Sequence, residues 1–194
     1  MNSQITVASD PRYGEGTAIV IGGSGGIGQK ICEALARDGS HVVLTYRRNP
    51  DRANEVVGRI QAMGRKAEAA AVTVENAQAL KAFVDDVAAR WGRIHSVVYA
   101  AGPEIHMCRI ADLTPDMWSA AVNADVNGCF NLVWATLPHL KAGGGGAIVT
   151  LITSAVERVP SQDILSAAPK AAVEMLIRGV AKEEGRYGIR ANCV

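Results

Sequence analysis

Long hydrophobic runs are missing from this chain of 194 residues. No apolar stretch approaches the roughly 20 residues that a membrane-spanning helix needs, so no membrane partner is expected. The start, Met1-Asn2-Ser3-Gln4, has no basic segment followed by an apolar one and does not read as a secretory signal. An excess of one charge is missing too: 20 Lys+Arg against 19 Asp+Glu leaves +1. That balance gives no field to attract nucleic acid, and the basic residues are dispersed, with Arg47-Arg48 a paired exception. Cysteine is scarce. Cys32, Cys108, Cys129 and Cys193 lie far apart with no C-x-x-C pair, and read as small buried residues of a reduced compartment. The four histidines are equally scattered, so no metal site is expected. The expected location is the cytoplasm.

Glycine, by contrast, is concentrated. Residues Ala18 to Gly28 read Ala-Ile-Val-Ile-Gly-Gly-Ser-Gly-Gly-Ile-Gly, an apolar run breaking into five glycines within seven positions. This predicts a strand, a tight turn and a helix start in succession. Such a turn presents backbone N–H groups and the positive end of a helix dipole to an anion. Gly23, Gly25 and Gly28 fit the general dinucleotide fingerprint, and Gly22, Gly26 and Gly28 fit a G-x-x-x-G-x-G variant. Ile27, Ile31 and Leu35 give the following helix one apolar face, and Gly39 is its stop. His41 to Tyr46 reads as a second buried strand, so strand, helix and strand close within about 30 residues. The plainer alternative is a glycine turn that only permits close helix–strand packing.

The alternation continues along the chain. Asp51–Met63 predicts a helix, Ala67–Val74 a strand, Gln78–Trp91 a helix and His95–Ala101 a strand. Thr114 and Pro115 have the cap and first-turn chemistry of a helix running to about His139, with a kink near Gly128. Gly143 to Gly146 reads as a turn, Ala147–Ile152 as a strand, and Val173, Leu176, Ile177 and Val180 as one face of a helix to about Gly185. Ile189–Val194 opens a sixth strand. Repeated βα units imply the α/β class, with a parallel sheet covered by helices on both faces, in a single domain over 1–194. Ligands of such sheets sit beyond the C-terminal strand ends, where the glycine loop lies.

On these residues the chain resembles the short-chain dehydrogenase/reductase family over nearly its whole length, in the manner of 3-oxoacyl-thioester and sugar-alcohol reductases. The matches are Gly22-Gly23-Ser24-Gly25-Gly26-Ile27-Gly28, Ala101-Gly102, Ala167 to Glu174 around Lys170, and Gly188-Ile189-Arg190-Ala191-Asn192. The resemblance implies a Rossmann-type, doubly wound, three-layer α/β/α fold and hydride transfer between a nicotinamide and a small-molecule carbonyl or alcohol. It assigns Gly22, Ser24, Gly26, Ile27, Gly28, Ala101, Gly102 and Lys170 to cofactor binding, and it implies homo-oligomers joined through helices 114–139 and 166–185. The second strand ends Thr45-Tyr46-Arg47-Arg48, with no acid to hold a ribose 2′-hydroxyl. Arginine there suits a 2′-phosphate, so NADP(H) is expected rather than NAD(H). Solvated surface charge is the alternative for Arg47 and Arg48. At the next strand end Thr73-Val74 stands where the family has Asp-Val against adenine.

The chain also departs from the family. The family's catalytic Tyr-x-x-x-Lys pair is represented by Lys170, but the position four before it is Ser166, and the only tyrosines are Tyr13, Tyr46, Tyr99 and Tyr187. A serine hydroxyl is far less acidic than a phenol, and general acid–base catalysis commonly supplies about 10²–10⁴-fold in rate. Ser166 therefore reads either as a helix cap, with Pro169 in the first turn, or as a catalytic substitute. The family's carbonyl-binding Ser falls at Thr153 or Ser154, and its helix Asn at Asp125, flanked by Asn123 and Asn127. Tyr99-Ala100 replaces the usual Asn-Asn. His106 and Glu104, past the fourth strand, read as loop residues or proton carriers. After Val194 the family continues with a Pro-Gly turn, a substrate-covering segment and a final strand, so the C-terminal substrate segment is expected to be missing. The altered positions leave two expectations open: an NADP(H)-dependent oxidoreductase, or a catalytically silent dinucleotide-binding or interaction protein on the same fold.

Overall fold

A computed structural model describes Tyr13 and residues 16–194 of the chain. Residues 1–4, on which the reading of no secretory signal rests, lie outside the described residues. Six strands alternate with helices: β1 (Thr17–Ile21), α1 (Gly26–Arg37), β2 (His41–Tyr46), α2 (Pro50–Ala62), β3 (Ala67–Ala71), α3 (Ala77–Trp91) and β4 (Ile94–Tyr99). They are followed by α4 (Pro115–Val122), α5 (Gly128–Ala142), β5 (Gly146–Thr150), α6 (Ile164–Glu184) and β6 (Ile189–Cys193). All strand pairs are parallel, in the order β3-β2-β1-β4-β5-β6. The order reverses at β1, which puts the loops after β1 and β4 side by side at the switch point where such sheets bind ligands.

Strand alternation explains the three layers. Ile19 and Ile21 of β1 join Val84, Leu132, Val173 and Ile177 in a core under α3, α5 and α6. Val20, one residue out of phase, joins Cys32, Val42, Leu44, Val56 and Ile60 under α1 and α2. A strand buried on both faces has to be apolar throughout, which is why β1 and β2 read as continuous hydrophobic runs. Cys32 and Cys129 are buried as expected, whereas Cys108 and Cys193 are only half-buried; all four are free thiols.

Three readings need correction. The strands end earlier than their apolar runs: β3 stops at Ala71, not Val74, because after Val72 the chain leaves the ladder and Asn76 N–H turns back to the Thr73 carbonyl. The helix from Pro115 is not continuous: the disturbance expected near Gly128 is a π-turn over Asn123–Asn127 that separates α4 from α5. Ser166 is not a cap. The cap position of α6 is Asp163, which makes no side-chain cap bond, and Ser166 lies inside the helix with Pro169 in its second turn.

Candidate active site

The glycine loop is held backbone to backbone. The Gly25 N–H donates to the Gly22 carbonyl at 2.9 Å, and Gly22 adopts a φ of +74°, where a side chain would be strained. A Cβ on Gly28 would lie 2.2 Å from the Gly22 oxygen, so helix α1 approaches the turn as closely as it does only with glycine there. Thr45, at the end of β2, accepts a 3.0 Å hydrogen bond from the Gly22 N–H and ties the loop to the neighbouring strand. No side chain caps α1 and no acid stands in its first turn. Its first N–H groups, with the positive end of the dipole, are therefore open to an anion. A Cβ on Gly26 would meet nothing within 4 Å, and Ile27 is exposed, so a ligand can reach the backbone there. These features fit the pyrophosphate of a dinucleotide.

A cleft opens from this loop along the C-terminal strand ends, with Gly22, Ser24, Arg47, Val74, Ala101 and Gly102 among its walls. Arg48 and Thr73 are exposed and are not part of that wall. A second cleft adjoins it, lined by Glu104, His106, Asp116, Asn123 and Leu165 among others. Arg47 lines both clefts, as does Glu75, whose carboxylate is 3.7 Å from the Arg47 guanidinium.

Asp125 and Lys170 come together from different helices. Lys170 Nζ donates to Asp125 Oδ1 at 2.8 Å, with the Asp125 side chain fully buried and that of Lys170 12% exposed. Burial pushes the Asp125 carboxyl above its ordinary range, and the Lys170 ammonium opposes the shift. Its other oxygen, Oδ2, is buried without a hydrogen-bond partner among the described residues. An unsatisfied buried acceptor of this kind is uncommon in a folded protein. Asp125 lies in the π-turn, where the neighbouring Ala124 carbonyl accepts a hydrogen bond from the Tyr99 hydroxyl. Lys170 Nζ lies 5.9 Å from the centre of the Tyr99 ring. Gly102, on the cleft wall, has its Cβ direction 3.7 Å from Asp125 Oδ1, which joins this pair to the glycine cleft.

The remaining expected residues are less convergent. Ser166 is half-buried on α6, one helical turn before Lys170. Thr153 accepts a 3.2 Å hydrogen bond from the Ala155 N–H, and Ser154 is exposed; both line a separate depression with Glu157 and Val194 rather than either cleft above. Asn123 and Asn127, the other amide candidates, bond to each other at 2.7 Å on an exposed face. Two residues were missed in the sequence: Thr45 as the anchor of Gly22, and Glu75 as the partner of Arg47. No sequence signal pointed to Glu75, which lies in the turn between β3 and α3. No group of three or more His, Cys, Asp or Glu able to hold a metal occurs among the described residues, and no described helix is long and apolar enough to cross a membrane.

A family model described as short chain dehydrogenase matches residues 16–194. The short-chain dehydrogenase/reductase FrzI of Cladobotryum sp is 35% identical over 91% of this chain and 68% of its own length. A short chain dehydrogenase from Burkholderia cenocepacia, solved in complex with NADP, is 36% identical with a TM-score of 0.86, over 92% of this chain and 72% of that one. A 7 alpha-hydroxysteroid dehydrogenase complexed with NADH and 7-oxo glycochenodeoxycholic acid is 30% identical with a TM-score of 0.88, over 95% and 71%. The parallel six-stranded sheet agrees with these matches, and the chain belongs to the short-chain dehydrogenase/reductase family of oxidoreductases.

Proposed function

We propose that the chain is an NADP(H)-dependent oxidoreductase that interconverts a carbonyl and an alcohol, on a ketone or 3-oxoacyl-like substrate. The observation that carries the reading is the uncapped start of α1 behind Gly22, with Arg47 on the wall of the same cleft. The Burkholderia relative was solved with NADP and the hydroxysteroid dehydrogenase with NADH, so the family admits both. The absence of an acid after Tyr46 and the presence of Arg47 favour the 2′-phosphate. When bound, the nicotinamide supplies or accepts the hydride. The chain's own part is to hold it and to move one proton. Lys170 offers ammonium hydrogens beside Asp125, and Ser166, one helical turn before it, or a water next to it relays the proton. The apolar exposure of Trp118 on α4, Phe130 and Trp134 on α5 and Met175 on α6 suits a homo-oligomer joined through these helices.

A second reading, a silent dinucleotide-binding protein, is favoured by one observation: Ser166 stands where a phenol is expected, while Lys170 is engaged by Asp125. NADPH oxidation followed across ketone and acyl-thioester panels, for the native chain and Ser166→Tyr, separates the two. The proposed function predicts measurable native turnover that the substitution raises by about 10²-fold or more. Turnover only in the variant supports the silent reading, and turnover in neither defeats the proposed function.

A further inference from the structure

Arg47 and Glu75 stand where the two clefts meet, and each lines both of them. The closest approach, Arg47 Nη2 to Glu75 Oε1, is 3.7 Å, an ion pair beyond hydrogen-bond length. The Arg47 side chain is 56% exposed and that of Glu75 27%. The pair is loose on the arginine side and fixed on the glutamate side. Glu75 follows Val74, which is buried and whose carbonyl accepts a 3.0 Å hydrogen bond from Asn131 Nδ2. It precedes Asn76, which caps α3 through a 3.0 Å bond from the Ala79 N–H. Its backbone is thus flanked by anchored residues on both sides, whereas the arginine side chain is the more exposed of the two.

This arrangement has a direct consequence for which adenosine the cleft accepts. A phosphate monoester approaching Arg47 meets a carboxylate already within ion-pair distance of the guanidinium. It must displace that carboxylate and tolerate its like charge. A free ribose hydroxyl carries no charge and can donate to the same carboxylate instead. We infer that Glu75 is a specificity-determining residue of the cofactor cleft, which holds Arg47 in reserve and lowers the preference for a 2′-phosphorylated adenosine over an unphosphorylated one. The inference rests on the reading that this cleft takes a nicotinamide dinucleotide. It assigns to this chain a smaller bias toward NADP(H) than Arg47 alone would give.

The test is titration calorimetry on the full chain with adenosine 2′,5′-bisphosphate and with 5′-AMP, for the native protein, Glu75→Gln, Glu75→Ala and Arg47→Ala. A thermal melt serves as the folding control. Glu75→Gln and Glu75→Ala are each expected to tighten the 2′,5′-bisphosphate by about 3- to 10-fold while leaving 5′-AMP within about twofold. The gain should shrink at high salt and vanish when Arg47→Ala is added. Equal effects on both probes, or none, overturn the inference and leave the cofactor reading standing. A native chain that binds neither probe, nor NADPH and NADH, overturns both.

Discussion

Lys170 and Asp125 face each other with side chains 12% and 0% exposed, so neither charge has water to fall back on. Removing one partner strands the other. Lys170→Met is expected to destabilise the chain by about 3–5 kcal/mol in urea unfolding at neutral pH. The deficit should narrow as pH falls, because protonating Asp125 removes the stranded charge. The double variant Lys170→Met with Asp125→Leu should recover most of the loss, since a paired charge replaced by apolar groups leaves nothing unsatisfied. Both residues were legible in the sequence, because each lies on a helix whose register a motif fixes. Glu75 was not, since its meeting with Arg47 depends on where β2 and β3 leave the sheet. Thr45 escaped notice for a related reason: its use is a backbone hydrogen bond to Gly22, and nothing in residue type announces that.

At the scale of elements, the interruption between α4 and α5 shapes the site. Within it, Ala124 and Asp125 are buried while Asn123 and Asn127 face out. Gly128 closes it where Tyr99 passes: a Cβ there would come within 2.5 Å of the Tyr99 hydroxyl oxygen and 2.7 Å of a Val74 methyl carbon. Gly128→Ala should therefore cost about 1–3 kcal/mol, against the usual gain of alanine over glycine in a helix. Adding Tyr99→Phe should relieve part of the clash while leaving the Ala124 carbonyl without its donor, so recovery stays incomplete. Chemical unfolding of Gly128→Ala, Tyr99→Phe and the double variant checks this. The sequence pattern placed a disturbance at Gly128 but could not distinguish a kink from a π-turn, because both preserve the helical spacing of apolar residues on either side. Strand ends were overestimated for a similar reason. Val74 and Ala101 are apolar because they pack on the core beyond the last paired residues of their strands.

Across the whole molecule, sheet order was legible only as a class; the placement of β4 beside β1 follows from packing between residues far apart in sequence. The end of the sheet opposite the clefts holds His95, 4% exposed and in contact with Ser40 at 3.3 Å and Ser96 at 3.0 Å. Burial pushes its imidazole down to about 4 from 6.5. Between those values the unfolded chain binds a proton that the folded chain refuses, so stability rises with pH and is lost as pH falls from 6.5 toward 4. The contribution of His95 to that slope is at most about 1.4 kcal/mol per pH unit. Unfolding free energies at pH 5 and 7 should differ less in His95→Gln than in the native chain. The titrating histidine and the cofactor cleft thus sit at opposite ends of one sheet. The central claim, that the glycine turn and Arg47 together receive a 2′-phosphorylated dinucleotide, is tested most directly by calorimetric titration of the full chain with NADPH and NADH. The account predicts that both bind, NADPH more tightly, and that Arg47→Ala removes the difference. No binding of either, or a native chain that binds NADH as tightly as NADPH, would contradict it.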